Sequence, residues 1–169
     1  MKQLHLFGPR GEEVSEREPV SWKLFVDGAS RNNPGPAGAG AYLLKDGEAA
    51  CKEGIYIGSK TNNEAEYLAL LYGLYLLSDR YQDGDTVNII SDSELLVKQL
   101  KGVYRVKKEQ LKPLYRLAYD IIVAYGADVA HVLRGDNVTA DKLANHGIDK
   151  RVAPPPAFIA MLSEYDISL

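Results

Sequence analysis

Three β-rich runs between Trp22 and Ile57 are joined by connections too short to hold a helix, and this spacing confines them to an antiparallel meander. The first, WKLFVD (22–27), ends at Asp27. GASRNNPGPAG, with three Gly and two Pro, reads as a turn region, after which AGAYLLK (39–45) resumes the apolar pattern. Asp46-Gly47 is a hairpin signal leading into a third strand across Ala50 to Ile57. The pattern then changes. TNNEAEYLALLYGLYLLSDRYQ has no Pro and is too long for a strand; it predicts a helix from about Asn63 to Ser78, apolar most of the way round and so well buried. QDGD stops it, TVNIIS (86–91) is a short apolar strand, and SELLVKQLK starts a second helix. QLKPLYRLAYDIIVAYG (110–126) is a third helix with Pro113 in its first turn, ADVAHVL (127–133) a fifth strand, and VTADKLANH (138–146) a last short helix with Gly147 as its stop. Strands alternating with helices imply parallel pairing through right-handed crossovers. The expected class is α/β, a mixed five-stranded sheet of three antiparallel strands plus two parallel ones. One domain is expected over residues 22–151, with an N-terminal arm (1–21) and a C-terminal tail (152–169) that packs through Phe158, Ile159 and Leu162.

Four acids fall at the ends or beginnings of these elements. Asp27 closes the first strand, Glu66 lies in the first turn of the long helix, Asp92 follows the fourth strand and Asp141 lies in the last helix. If strands one and four are neighbours, Asp27 and Asp92 sit side by side with no basic residue adjacent in sequence. Such a pair is costly unless a cation binds between them. Carboxylate oxygens suit Mg²⁺ or Mn²⁺. Simpler roles fit the same residues. Ser91 and Glu94 around Asp92 spell a capping box, as do Asn63 with Glu66 and Thr61 with Glu64, and helical periodicity does not choose between the two glutamates. Asp141 also reads as a solvated charge, and Asp27 as a loop-closing residue.

DGASRNNPGPAGAG, TNNEAEYLAL, IISDSELLVKQL and NVTADKLAN together resemble the type 1 ribonuclease H family, motif by motif and in the family's order, over about Lys23 to Lys150. The resemblance implies a ribonuclease H-like fold and a two-metal endonuclease that cleaves the RNA strand of RNA–DNA hybrids, leaving 5′-phosphate and 3′-hydroxyl ends. It assigns the two Mg²⁺ ions, with Mn²⁺ as a substitute, to Asp27, Glu66, Asp92 and Asp141; Asp27 bridges both ions and Glu64 becomes the cap. It further implies 2′-hydroxyl contacts from the backbone at Gly28 and Ala29 and from the amides of Asn33, Asn62 and Asn63, and a DNA-strand phosphate held by Lys60 and Thr61. Two departures stand out. The basic, Trp-rich handle of many members is missing. The catalytic-loop His is also missing: His131 falls within the predicted fifth strand, and the loop offers Arg134 and Asp136 instead. Arg134 reads either as a cationic substitute near the leaving phosphate or as a surface charge, and the change leaves double-stranded RNA open as a second substrate. His5 and His146 read as structural or solvated, and the short polar arm leaves no room for an N-terminal hybrid-binding domain.

A formal net charge of −3 argues at first against nucleic acid, because phosphate neutralisation dominates such binding. The distribution reverses the argument. Lys98 to Arg116 holds seven basic residues and one acid, with Tyr104 and Tyr115 interleaved, as a backbone-tracking patch would. Four of the acids belong to the proposed metal site. Binding is therefore expected to be weak without divalent cation and to decline steeply with salt. The single cysteine, Cys51, excludes an internal disulfide and fits a reducing, cytoplasmic setting. No apolar run approaches a membrane span, so no membrane partner is expected and the chain is read as a monomer.

Overall fold

A computed structural model describes residues 17–169. His5 and most of the expected N-terminal arm lie outside the described residues; of the remainder, Val20 is buried and Ser21 opens the first strand. The elements are β1 (Ser21–Ser30), β2 (Gly35–Lys45), β3 (Glu48–Lys60), α1 (Asn62–Ser78), β4 (Thr86–Ser91), α2 (Glu94–Leu100), α3 (Lys112–Tyr125), β5 (Asp128–His131), α4 (Val138–Asp149) and α5 (Pro156–Glu164). Short 3-10 turns precede α3 and α4. The sheet order is β3-β2-β1-β4-β5. The first three strands form the antiparallel meander, and β1–β4 and β4–β5 are parallel, as the spacing predicts.

The turn at Asp46-Gly47 has both residues at positive φ, 48° and 84°, which matches the twist of a two-residue hairpin. The glycine-rich segment is less of a turn than its composition suggests. β1 and β2 stay paired up to Ser30↔Ala37, so the connection shrinks to Arg31–Pro34. α1 is buried nearly all round, from Ala65 through Leu77, between the sheet and α3. α5 seals part of it: the Phe158 ring lies 5.0 Å from Tyr72 and 5.3 Å from Tyr75. Phe158 and Leu162 pack inward as expected, but Ile159 is 43% exposed; Met161 is the helix's third buried side chain, because it shares a face with Phe158 and Ile159 does not. After α4 the chain returns to β3, where the Tyr56 N–H donates to the Val152 carbonyl at 2.8 Å.

Gly147 does not stop α4, which runs on to Asp149. Its role is close packing: a β-carbon there would overlap the Ile55 backbone. Gly38, Gly40 and Gly54 do the same on the strand side, facing the backbone of Ala144, Ala140 and Leu143. With no side chain between them, α4 lies flat on β2 and β3, and this seating sets where Asp141 stands.

The opposite end of the sheet is tied by Asp85. Its buried carboxylate accepts from Val20 N–H (2.9 Å), Gln82 N–H (3.0 Å), the Trp22 indole (2.8 Å) and both terminal nitrogens of Arg17 (2.8 and 2.6 Å). Burial alone would push this carboxyl up; the Arg17 hydrogen bond, with the other donors, holds it at about 2. A depressed acid stabilises the fold above the unfolded aspartate value and loses that contribution as pH falls through about 2. Asp85→Ala strands the donors and is expected to cost about 3–5 kcal/mol in urea unfolding at neutral pH; a loss below ~1 kcal/mol would contradict this account.

Candidate active site

Val26 pairs with Ser91 across the parallel β1–β4 ladder, so Asp27 and Asp92 leave adjacent strands at the same edge of the sheet. Asp27 is 5% exposed. Beside it, α1 begins with a complete capping box: the Thr61 hydroxyl accepts from Glu64 N–H (3.2 Å) and the Glu64 carboxylate accepts from Thr61 N–H (3.1 Å). Glu64 is thereby occupied, and Glu66 turns to β1, where it accepts from Gly28 N–H at 3.2 Å. A β-carbon on Gly28 would overlap the Ala65 carbonyl, so glycine is what lets helix and strand meet here. Asp92 is likewise not a cap. Ser93 caps α2 by accepting from Leu96 N–H (3.2 Å), the Ser91 hydroxyl accepts from Ser93 N–H (3.0 Å), and Glu94 pairs with Lys98 (2.5 Å).

Oxygens of Asp27, Glu66 and Asp92 all lie within 4.8 Å of one another. Burial pushes the Asp27 carboxyl far above the usual range, to about 10, with the charges of Glu66 and Asp92 and a hydrogen bond to Asp141 adding to the effect. Glu66 rises to about 8, again through burial and then Asp92, against the pull of Gly28 N–H and Arg134. Three acids held in this way need protons or cations between them. An all-carboxylate donor set with oxygens at this separation fits a hard divalent ion.

Asp141, in the first turn of α4, is exposed and stands outside the three-carboxylate group, yet it lines the same cleft. That cleft, about 400 Å³, is bounded by all four acids together with Gly28, Ala29, Ser30, Asn62 and Arg134. The other expected contacts spread further. Asn33 accepts from Asn62 N–H (3.0 Å), which ties the glycine-rich loop to the start of α1. Thr61 serves as the N-cap and Asn63 sits half-buried in the first turn. Lys60 donates to the Ser168 carbonyl at 3.2 Å, beside the C-terminal tail and outside the residues lining the cleft. His131 ends β5 and His146 is exposed on α4. Arg134 lies in the turn before α4 and lines the cleft, where its positive charge works to lower the Glu66 carboxyl. The basic side chains of the Lys98–Arg116 segment are exposed or half-buried while Leu100, Leu111 and Leu114 turn inward, and the Lys98 ammonium lies 4.9 Å from the Tyr104 ring centre.

Asn137 escaped the sequence reading. It is 1% exposed, and its amide donates to the Val26 carbonyl at 2.9 Å, fixing the start of α4 to the residue before Asp27. It opens the NVTAD segment, so its fixed distance from Asp141 was the available signal.

The family described as "Reverse transcriptase-like" matches residues 25–147. The ribonuclease HI of Halobacterium salinarum is 37% identical over 127 residues, covering 74% of this chain and 63% of that protein, so the match spans less than two thirds of the relative's length. A ribonuclease H of Methylococcus capsulatus is 32% identical over 154 residues, covering 81% of this chain and 94% of that protein. The solved LC11-RNase H1 in complex with RNA/DNA hybrid superposes with a TM-score of 0.72 at 37% identity, over 76% of this chain and 97% of that one. The four-motif resemblance, the strand order and the gathered carboxylates agree with these likenesses, and the chain belongs to the type 1 ribonuclease H family.

Proposed function

We propose that this chain is an endoribonuclease that hydrolyses the RNA strand of RNA–DNA hybrids, leaving 5′-phosphate and 3′-hydroxyl ends. The observation that carries the reading is the cluster of Asp27, Glu66 and Asp92 oxygens within 4.8 Å, with Asp141 in the same cleft. The names of the relatives and the hybrid bound to LC11-RNase H1 support it. The four acids are the ligands of two divalent ions, Mg²⁺ with Mn²⁺ as a substitute. When bound, such ions activate the attacking water and stabilise the leaving 3′ oxygen. The chain's own groups do the rest. Gly28 N–H fixes the Glu66 carboxylate, and Arg134 adds positive charge beside the scissile phosphate. Backbone at Gly28 and Ala29 and the amides of Asn33, Asn62 and Asn63 read the 2′-hydroxyl, which is what separates RNA from DNA. Lys60, Thr61 and the amide-rich start of α1 take a phosphate of the DNA strand, and the Lys98–Arg116 segment follows the backbone electrostatically.

Two finer assignments belong to the same reading. All four acids come from one chain, which supports a monomer, and the lone Cys51 supports a cytoplasmic setting. No helix among the described residues is long and apolar enough to cross a membrane. Arg134 in place of the loop His leaves double-stranded RNA open as a second substrate of the same site. Asp92→Asn tests the core of the proposal: Mg²⁺-dependent cleavage of a labelled hybrid is expected to fall by about a thousandfold, with the circular dichroism spectrum unchanged. Undiminished cleavage would overturn it. Running hybrid and RNA duplex side by side on the wild type ranks the two substrates.

A further inference from the structure

Three of the four carboxylates are fixed by strand geometry or backbone contact, whereas Asp141 is exposed on a helix surface. Besides the carboxyl of Asp27, it is met by Asn145, one turn later, whose amide donates to the Asp141 carboxylate at 3.3 Å and to its main-chain carbonyl at 3.0 Å. The Asn145 side-chain oxygen in turn accepts from Arg31 at 3.3 Å, and the other terminal nitrogen of Arg31 pairs with Asp149 at 2.5 Å. Asp141, Asn145 and Asp149 are spaced by four and form one row on α4, and Arg31 clamps the outer two thirds of it.

Arg31 belongs to the loop that carries Asn33. That loop is closed by Arg31 N–H donating to the Pro36 carbonyl (2.9 Å), bound to the end of β3 by the Ser30 hydroxyl donating to the Lys60 carbonyl (2.7 Å), and bound to the start of α1 by Asn62 N–H donating to the Asn33 side chain (3.0 Å). Arg31 is its link to α4. We propose that Arg31 and Asn145 are positioning residues that orient the Asp141 carboxylate for metal and tie that orientation to the seating of the substrate loop. The proposal rests on the four-carboxylate reading above. Exposed pairs of this kind stabilise a fold little, so their consequence lies in the ligand they aim: partners that orient a metal ligand typically govern about 10–100-fold in affinity or activity.

The test uses the full chain with Asn145→Ala, Arg31→Ala, the double variant and Asn145→Gln. Mn²⁺ binding without nucleic acid is measured by calorimetry, and kcat and KM are measured on a hybrid at saturating Mg²⁺. Each Ala variant is expected to weaken Mn²⁺ binding and lower kcat by about tenfold, with KM and the melting temperature little changed. The double variant is expected to match Asn145→Ala alone, since the two act in series. Asn145→Gln, which keeps an amide on the same face, is expected to recover most of the loss. Mn²⁺ affinity and kcat both within about twofold of wild type in Asn145→Ala, or losses that multiply in the double variant, overturn the proposal. Asp141→Asn separates the two levels. If it abolishes cleavage while Asn145→Ala does nothing, the positioning proposal alone fails; if it too leaves metal binding and cleavage intact, the four-carboxylate reading fails.

Discussion

Asp27→Asn is expected to lower kcat on a hybrid by at least about a thousandfold, ~4 kcal/mol of barrier, and at the same time to raise the melting temperature of the metal-free protein. Both effects have one cause. Asp27 is buried against Glu66 and Asp92, and its carboxyl is pushed up to about 10, with Glu66 raised to about 8. In the unfolded chain both titrate near ~4, so between these values the folded state holds more protons and stability falls as pH rises. An amide at position 27 removes that burden, and the gain in melting temperature is expected to be larger at pH 8 than at pH 5. Divalent cation should lift the wild type in the same direction, more at pH 8 than at pH 6, because protons and metal compete for the same oxygens. Calorimetry with and without Mg²⁺ reads all of this. An Asn variant that melts below the wild type at pH 8 without metal would contradict it.

The second large effect is at Gly40, which pairs with Asp27 across the β1–β2 ladder and carries no charge of its own. A β-carbon there would overlap the Ala140 carbonyl and stand 2.6 Å from the Ala144 nitrogen, both backbone atoms of α4. Neither can swing aside as a side chain would. Gly40→Ala is expected to cost about 3 kcal/mol in urea unfolding and to displace the helix that carries Asp141, so cleavage drops with stability. Gly47→Ala is the control. Its position is open but has φ +84°, so it should cost about 1 kcal/mol of backbone strain and leave cleavage unchanged. Equal behaviour of the two variants would show that the close seating of α4 is not what the glycine provides.

Where local chemistry decides, the sequence was readable. The short connections specified the meander, and Asp46-Gly47 specified its second turn. The choice between Glu64 and Glu66 could not be made by periodicity, because both lie one helical turn from apolar neighbours; the family motif assigns it, and the Thr61–Glu64 capping box accounts for it physically. Gly147 was misread for an instructive reason. A glycine near the end of a helical pattern has the same signature whether it supplies a left-handed stop, as Gly126 does at φ +58°, or a bare surface for another backbone. The second use depends on Ile55, ninety-odd residues away in the chain, and no local pattern reports it. Asp85 and the Arg31–Asn145 link were invisible on the same grounds: each joins segments that only the fold brings together.

The bond from Tyr56 to Val152 bears on how these molecules behave in company. β3, thirteen residues long, is one rim of the sheet, and an unpaired rim offers its free amides and carbonyls to any passing strand, including that of another copy. Here the chain leaving α4 takes one of those positions itself, while Glu48, Lys52 and Glu53 put charge along the remainder. The stretch after Arg151 thus doubles as a guard against templated aggregation, and a molecule truncated before it would carry an open strand edge into crowded solution.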